Sequence, residues 1–328
     1  MLVDVVKSYN LNSVQKAALS LMQNDLRYLY TVIKFFRIGK SNYIASLMPY
    51  IGVIIDGIED WINAFNNTNK VKMDMEVFTE NEQDYYQKMR DSIKLWQNEY
   101  EEIYNLLENA YYLSKTYFSN LCKPIAKILR LYDIFGVDTA NGAICGNTIL
   151  CYYYNPLFSY DNDNGEYIKS MSEIGGQYIA LFGADKEYRV DSNIKFDMNN
   201  YGGFIKSPVG NKFSDKFVLF SILCQINFIV YCVDRWIVEE ISTKMRLAYL
   251  LYYSLIHVIP QINEKIGIKL NISDKWKSSK FRNAMAHYKL GIDLKKEELI
   301  YDDILFGLTR HSINISSESF YLKGFLGS

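Results

Sequence analysis

The sequence predicts a mainly α-helical protein, a helical bundle with an N-terminal long-helix region, a small β or irregular insertion and a C-terminal helical bundle. Three observations carry that expectation. Apolar residues recur at steps of three and four through the first 120 residues and again after residue 210. Strong turn signals, Asp161-Asn162-Asp163-Asn164-Gly165 and Asn199-Asn200-Tyr201-Gly202-Gly203, fall between those two regions. With 328 residues, 49% hydrophobic and 22% charged, the chain is globular and long enough for two domains or one large one. The natural division is an N-terminal helical region at 1–150, an insertion at 151–209 and a C-terminal helical domain at 210–328.

Within the first region, Val14, Ala18, Leu21, Met22, Leu26, Leu29, Ile33 and Phe36 share one helical face, with Asn12 or Ser13 placed to cap it. A second helix carries Ile44, Leu47, Ile51, Ile54, Ile58, Trp61 and Phe65, with Pro49 and Gly52 suggesting a kink or a late start. Asn66 to Asn69 reads as a loop. From Glu80, the residues Met89, Ile93, Trp96, Tyr100, Ile103, Leu107 and Ala110 alternate steps of four and three. That seam predicts one long helix to about Leu121. Its outer face is acidic, with ten Asp or Glu between Asp74 and Glu108 against Lys88, Arg90 and Lys94. Such a face is ordinarily just solvated; the functional alternative is an electrostatic cover for a basic active site, or repulsion that keeps RNA off this end.

Residues 125 to 150 read as a short helix and a turn-rich link. In the insertion, 177–183 and 188–196 look extended. Farther on, Phe217 to Val233 is apolar enough to attract a hydropathy window. It is interrupted by Gln225 and Asn227 and is short of the roughly 20 residues a membrane span needs, so a buried helix is expected. Ile241, Met245, Ala248, Tyr252, Leu255 and Ile259 form another seam, stopped by Pro260, and 295–309 reads as one further helix.

Composition narrows the function classes. A net charge of −1 argues against a protein that coats nucleic acid generally, so any RNA affinity must be local. Five cysteines without a C-x-x-C pattern give neither a zinc set nor a disulfide framework and read as reduced thiols in the cytoplasm. The first residues lack the basic start and apolar run of a signal peptide. Neither a Walker-type phosphate loop nor G-x-G-x-x-G occurs. Three scattered histidines and no carboxylate cluster at ligand spacing predict no metal and no cofactor.

The most informative stretch is Lys280-Phe281-Arg282-Asn283-Ala284-Met285-Ala286-His287-Tyr288-Lys289. Ser273 or Asp274 can cap a helix here that runs to about Leu290 and ends at Gly291. On that helix Asn283 and His287 are i and i+4, so Asn283 could orient the imidazole. Arg282 would point about 140° away, at about 100° per residue, and reach the histidine only around the helix end or across an interface between two copies. As ordinary structure, Arg282 would sit in a surface ion pair and His287 would be packed in the bundle.

Arg282-Asn283, three residues and His287 resemble the R-N-x-x-x-H form of the motif of HEPN domains, small helical domains of many prokaryotic toxin, phage-defence and CRISPR-associated ribonucleases. The resemblance covers residues from about 210 onward. It implies a homodimeric, metal-independent endoribonuclease in which Arg282 and His287 are catalytic and Asn283 supports them. It also implies a toxin or defence role, acting on single-stranded or tRNA-like RNA, with an antitoxin or activating protein as a further partner. Lys289 stands where antitoxin-paired members carry a tyrosine, and Tyr288 is one residue early, so regulation by modification of that tyrosine is not implied.

The chemistry fits the residue types. Histidine transfers protons near neutral pH, and the arginine fork stays charged and donates bidentately to phosphate. Strand cleavage by the 2′-OH would leave a 2′,3′-cyclic phosphate and a 5′-hydroxyl. The flank from Lys275 to Lys289 has five Lys or Arg and no Asp or Glu, so Lys275, Lys277, Lys280, Tyr288 and Lys289 are candidate RNA contacts. Trp276 and Phe281 read as core. Asp234, Glu239 and Glu240 are candidates to anchor Arg282 or orient His287. His257 reads as a packed residue. The alternatives are a non-catalytic HEPN-like module that binds RNA, a nucleotide or a protein, and a helical scaffold whose motif is accidental.

Overall fold

Helices dominate the computed structural model of the chain, which describes residues 9–35, 43–69, 80–121, 135–154, 173, 175–201 and 213–288. Among the described residues the protein is mainly α-helical with one small three-stranded sheet. The first two helices among the described residues are α1 (Ser13–Phe35) and α2 (Tyr43–Asn69). Asn12 caps α1 reciprocally: its side-chain oxygen accepts from Gln15 N at 2.8 Å while Gln15 Oε1 accepts from Asn12 N at 3.0 Å. Asn66 to Asn69, expected as a loop, is the last turn of α2.

The expected long helix from residue 80 to 121 is broken. It comprises α3 (Glu80–Asp91), a 3₁₀ turn (Ser92–Gln97) and α4 (Tyr100–Leu121). Two side chains help to set the break. The Ser92 hydroxyl donates to Met89 O at 2.6 Å, and Gln261 Oε1 accepts from Tyr100 N at 2.8 Å, replacing a helical acceptor. Apolar periodicity survived because Met89, Trp96, Tyr100, Ile103, Leu107 and Ala110 are all buried on both sides of the break. α3 lies against α2 at Gly52, where a Cβ would stand 2.3 Å from the Arg90 backbone nitrogen, so only glycine fits.

Where a turn-rich link was expected, β1 (Phe135–Ala140) and β2 (Ala143–Asn147) form a hairpin. Its two-residue loop is Asn141-Gly142, both at positive φ (49° and 81°), which suits the twist of a tight hairpin. β3 (Phe196–Tyr201) pairs antiparallel with β1, giving the order β2-β1-β3. Between them α5 (Thr148–Tyr154) is capped by Asn147, whose Oδ1 accepts from Ile149 N and Leu150 N. Residues 175–181, expected as extended, are helical. Tyr188 to Phe196 holds only an isolated bridge, Val190 to Ile237, before β3 begins.

The apolar stretch forms α6 (Asp215–Asn227) continued by a π-helical segment, Phe228–Arg235. By length and composition Asp215–Arg235 could cross a membrane, and 61% of its apolar window is buried inside the protein. α7 (Ser242–Ile266) passes through Pro260, contrary to the expected stop. It ends at Gly267, whose φ of 72° costs a glycine little. The motif helix α8 (Ser279–Ala286) starts later and stops earlier than expected. Ser278 caps it, accepting from Phe281 N at 3.2 Å, and His287 leaves it in extended conformation at φ −132°, ψ 132°. The expected helix at 295–309, together with Lys289, Leu290, Gly291 and His311, lies outside the described residues. One continuous cluster of buried apolar side chains runs from Leu11 to Tyr288.

Candidate functional site

The early end of α8 decides the site. Arg246 on α7 donates from Nε and Nη2 to the Met285 carbonyl at 3.0 and 2.7 Å, satisfying an acceptor at the helix C-terminus. Its Nη1 pairs with Asp25 of α1, and Asp25 also accepts from Thr243 Oγ1 at 2.7 Å and from Tyr288 OH at 2.5 Å. The Tyr288 ring lies under the Arg246 guanidinium, 4.4 Å from it, and against Gly57, where a Cβ would stand 2.9 Å from the ring. Asp25, Arg246 and Tyr288 are each at most 2% exposed. Burial pushes the Tyr288 hydroxyl up to about 12, against the pull of Arg246, so it stays a donor at neutral pH. This buried network fixes residues 285 to 288 and turns the chain out of the helix at His287.

As a result Arg282 and His287 line one pocket within a single chain, together with Val53, Arg90, Ile93, Lys94, Gln97, Leu250 and Ala286. The opposed directions expected of an unbroken helix do not apply, because the fifth residue after Arg282 is no longer helical. The pocket holds about 130 Å³. Arg282 is half-buried, with its guanidinium 5.3 Å from the centre of the Tyr253 ring and Nη2 3.5 Å from Gln97 Oε1. Its Nε is buried, and among the described residues it has no hydrogen-bond partner and no carboxylate pairs with the guanidinium. The surface ion pair that ordinary structure would give this arginine is therefore not found there.

The other pocket cations are paired. Arg90 is held by Asp56 of α2, and Lys94 Nζ lies 2.7 Å from Asp91, which also stands 3.9 Å from Arg90 Nε. His287 Nδ1 is 3.9 Å from Asp60 Oδ2, an electrostatic distance rather than a hydrogen bond. Asp56 and Asp60, one helical turn apart, thus face Arg90 and His287 respectively. Burial lifts the Asp56 carboxyl above the ordinary range; Arg90 opposes this, Asp60 adds to it and His287 opposes it.

Several expected site residues stand elsewhere. The Asn283 side chain is exposed and does not line the pocket; its backbone oxygen accepts from His287 N at 3.0 Å, because the helix ends before an i,i+4 side-chain stack can form. Tyr288 offers no face to a base, being buried on Gly57 and Arg246. Lys275, Lys277 and Lys280 are exposed but are not among the pocket-lining residues. Asp234 and Glu240 face Lys244, and Glu239 binds Arg189, so none of the three meets the motif. His257 is half-exposed beside Glu99 and Gln261, which differs from the packed position expected. Phe281 is in the core as expected, and Trp276 packs partly against it.

Sequence reasoning missed Asp60, Asp56, Arg90, Lys94 and Gln97. A signal existed: residues 90, 94 and 97 follow the spacing of one helical stripe, and they include two of the three cations in the acidic stretch. Among the described residues no three His, Cys, Asp or Glu side chains gather at metal-ligand spacing. Burial pushes the Cys151 and Cys224 thiols up to about 12, so neither is a thiolate nucleophile at neutral pH. No protein-family model, no curated protein and no solved structure matches the chain.

Proposed function

We propose that the Arg282–His287 pocket cleaves RNA without a metal, as the likeness of its motif to HEPN ribonucleases implies, in a toxin or anti-phage role. The observation that supports this reading most is the convergence, on one small pocket, of a histidine and an arginine that has no carboxylate partner among the described residues. Arg282 would hold the non-bridging phosphate oxygens, with Gln97 and the Tyr253 ring fixing its fork. His287 would move the proton, its ring placed beside Asp60. The 2′-oxygen bonds to phosphorus as the bond to the 5′-oxygen breaks, giving a 2′,3′-cyclic phosphate and a 5′-hydroxyl. A homodimer would supply a second histidine for the opposite proton transfer.

A second reading, a non-catalytic module that binds phosphate groups of RNA or a nucleotide, draws on the pocket's makeup: three cationic side chains and one histidine. Induced expression in a bacterial host separates the two readings. Wild type should arrest growth and yield RNA fragments with cyclic-phosphate ends, and both His287→Ala and Arg282→Ala should abolish them while still unfolding cooperatively. Fragments persisting in His287→Ala would refute the nuclease reading. RNA binding without fragments in any strain would favour the second.

A further inference from the structure

We infer that Lys94 and Arg90, delivered by the end of α3 and the 3₁₀ turn, form with Arg282 a subsite for one phosphate group, so that the N-terminal half of the chain builds part of the ligand site. This rests on the reading of the pocket as the RNA-cleaving site, and it names residues that the R-N-x-x-x-H motif does not contain.

Size sets the first limit on the ligand. The pocket holds about 130 Å³, against roughly 300–1,000 Å³ for pockets that enclose a whole drug-sized ligand. It admits a phosphate group with a few waters, while sugar and base must remain outside. Charge sets the second. Arg282 brings a guanidinium with no carboxylate partner among the described residues and a buried Nε that donates to nothing. Lys94 is exposed, and among the described residues its ion pair is with the half-exposed Asp91 three residues away. Such a surface pair contributes little, so an incoming anion can displace it at small cost. Arg90 stays on Asp56 and adds positive potential at the pocket wall.

Gln97 is a positioning residue in this arrangement. Its Oε1 accepts from Arg282 and its Nε2 donates to Ser254 Oγ at 3.1 Å, so the amide holds the guanidinium against α7. The 3₁₀ turn matters for the same reason: it carries Lys94 and Gln97 to the pocket and ends at Asn98 before α4 begins. The acidic character of residues 74 to 108 hides this subsite when charge is counted along the chain.

The test uses the full chain and a single-stranded 2′-O-methyl oligoribonucleotide, which has no attacking 2′-hydroxyl and reports binding alone. Wild type, Lys94→Gln and Lys88→Gln are titrated by fluorescence anisotropy over a range of salt. Lys88→Gln removes the same charge from α3 at a residue that does not line the pocket. The expected result is a several-fold weaker Kd for Lys94→Gln, a salt slope reduced by about 0.7 for one lost phosphate contact on a single strand, and no change for Lys88→Gln. Inorganic phosphate should compete with the oligonucleotide. Equal binding by Lys94→Gln and wild type, or an equal loss in Lys88→Gln, overturns the inference.

If wild type binds no oligonucleotide but inorganic phosphate raises its Tm and not that of Lys94→Gln, the subsite stands and its source is free phosphate. If neither probe acts on wild type, the subsite is refuted. Cleavage of unmodified RNA is scored separately. Fragments from wild type with unaltered Lys94→Gln binding would sink the subsite and leave the nuclease; a Lys94-dependent affinity without fragments would do the reverse.

Discussion

Removing the Asp25 carboxylate would leave the Arg246 guanidinium buried with no counter-charge. Breaking one side of such a pair typically costs about 3–5 kcal/mol. Asp25→Ala should therefore lose roughly that much in urea unfolding, and the Tyr288 hydroxyl would lose its acceptor as well. Tyr288→Phe removes only one hydrogen bond to a charged group and should cost about 1.5–3 kcal/mol. The same network places His287, so either change should also impair whatever the pocket does. Asp56 gives a pH dependence with the opposite sign to an ordinary ion-paired carboxylate. Burial holds its folded-state value above the unfolded one despite Arg90. The folded chain therefore binds that proton more tightly, and the stabilisation is complete below the unfolded value of about 3.9 and lost as pH rises through the folded value. The unfolding free energy of wild type minus that of Asp56→Asn should fall between pH 4 and pH 7; a difference that grows with pH would contradict the assignment.

At the scale of elements, glycine sets how closely α2 and α3 approach. Gly52→Ala would push a methyl group into the Arg90 backbone, which cannot rotate away. Overpacking of this kind costs about 1–3 kcal/mol, and because Arg90 lines the pocket, phosphate affinity should fall with stability. An unchanged melting temperature would show that the two helices separate freely. Helical faces were legible in the sequence because burial repeats every three to four residues whether or not the helix is continuous. The break at Ser92 was not legible, since its acceptor for Tyr100 N comes from Gln261, 161 residues away. The hairpin at Asn141-Gly142 could have been read: that dipeptide is among the strongest two-residue hairpin signals, and it stands between Val137 and Ile144, in the stretch expected as a short helix and a turn-rich link. Pro260 misled in the other direction, because a helix that is packed on several neighbours tolerates one missing donor.

Across the whole molecule, the spacing of Arg282 and His287 was legible, and which route brings them together, around the helix end or across an interface between copies, was not. Arg282 and His287 stand out as residue types at a spacing, but an unbroken helix keeps them apart. The chain turns at His287 because Tyr288 reaches Asp25, 263 residues earlier, and because Arg246 takes the Met285 carbonyl. Arg90 and Lys94 line the pocket, and Asp60 stands beside His287, through the packing of α2, α3 and the 3₁₀ turn, which no local pattern near residue 282 encodes. This dependence makes a prediction about autonomy. A fragment of residues 210–328 would keep the complete motif but lose Asp25, Gly57 and Gln97, leaving Arg246 buried without its carboxylate and Arg282 without its amide. It should lack the cooperative urea transition expected of the full chain, followed in both by tryptophan fluorescence (Trp236 and Trp276 in the fragment), and it should bind the 2′-O-methyl oligonucleotide without the Lys94-dependent part of the salt slope. A fragment that unfolds cooperatively and binds as the full chain does would place the whole site in the C-terminal third and detach α1 to α4 from it.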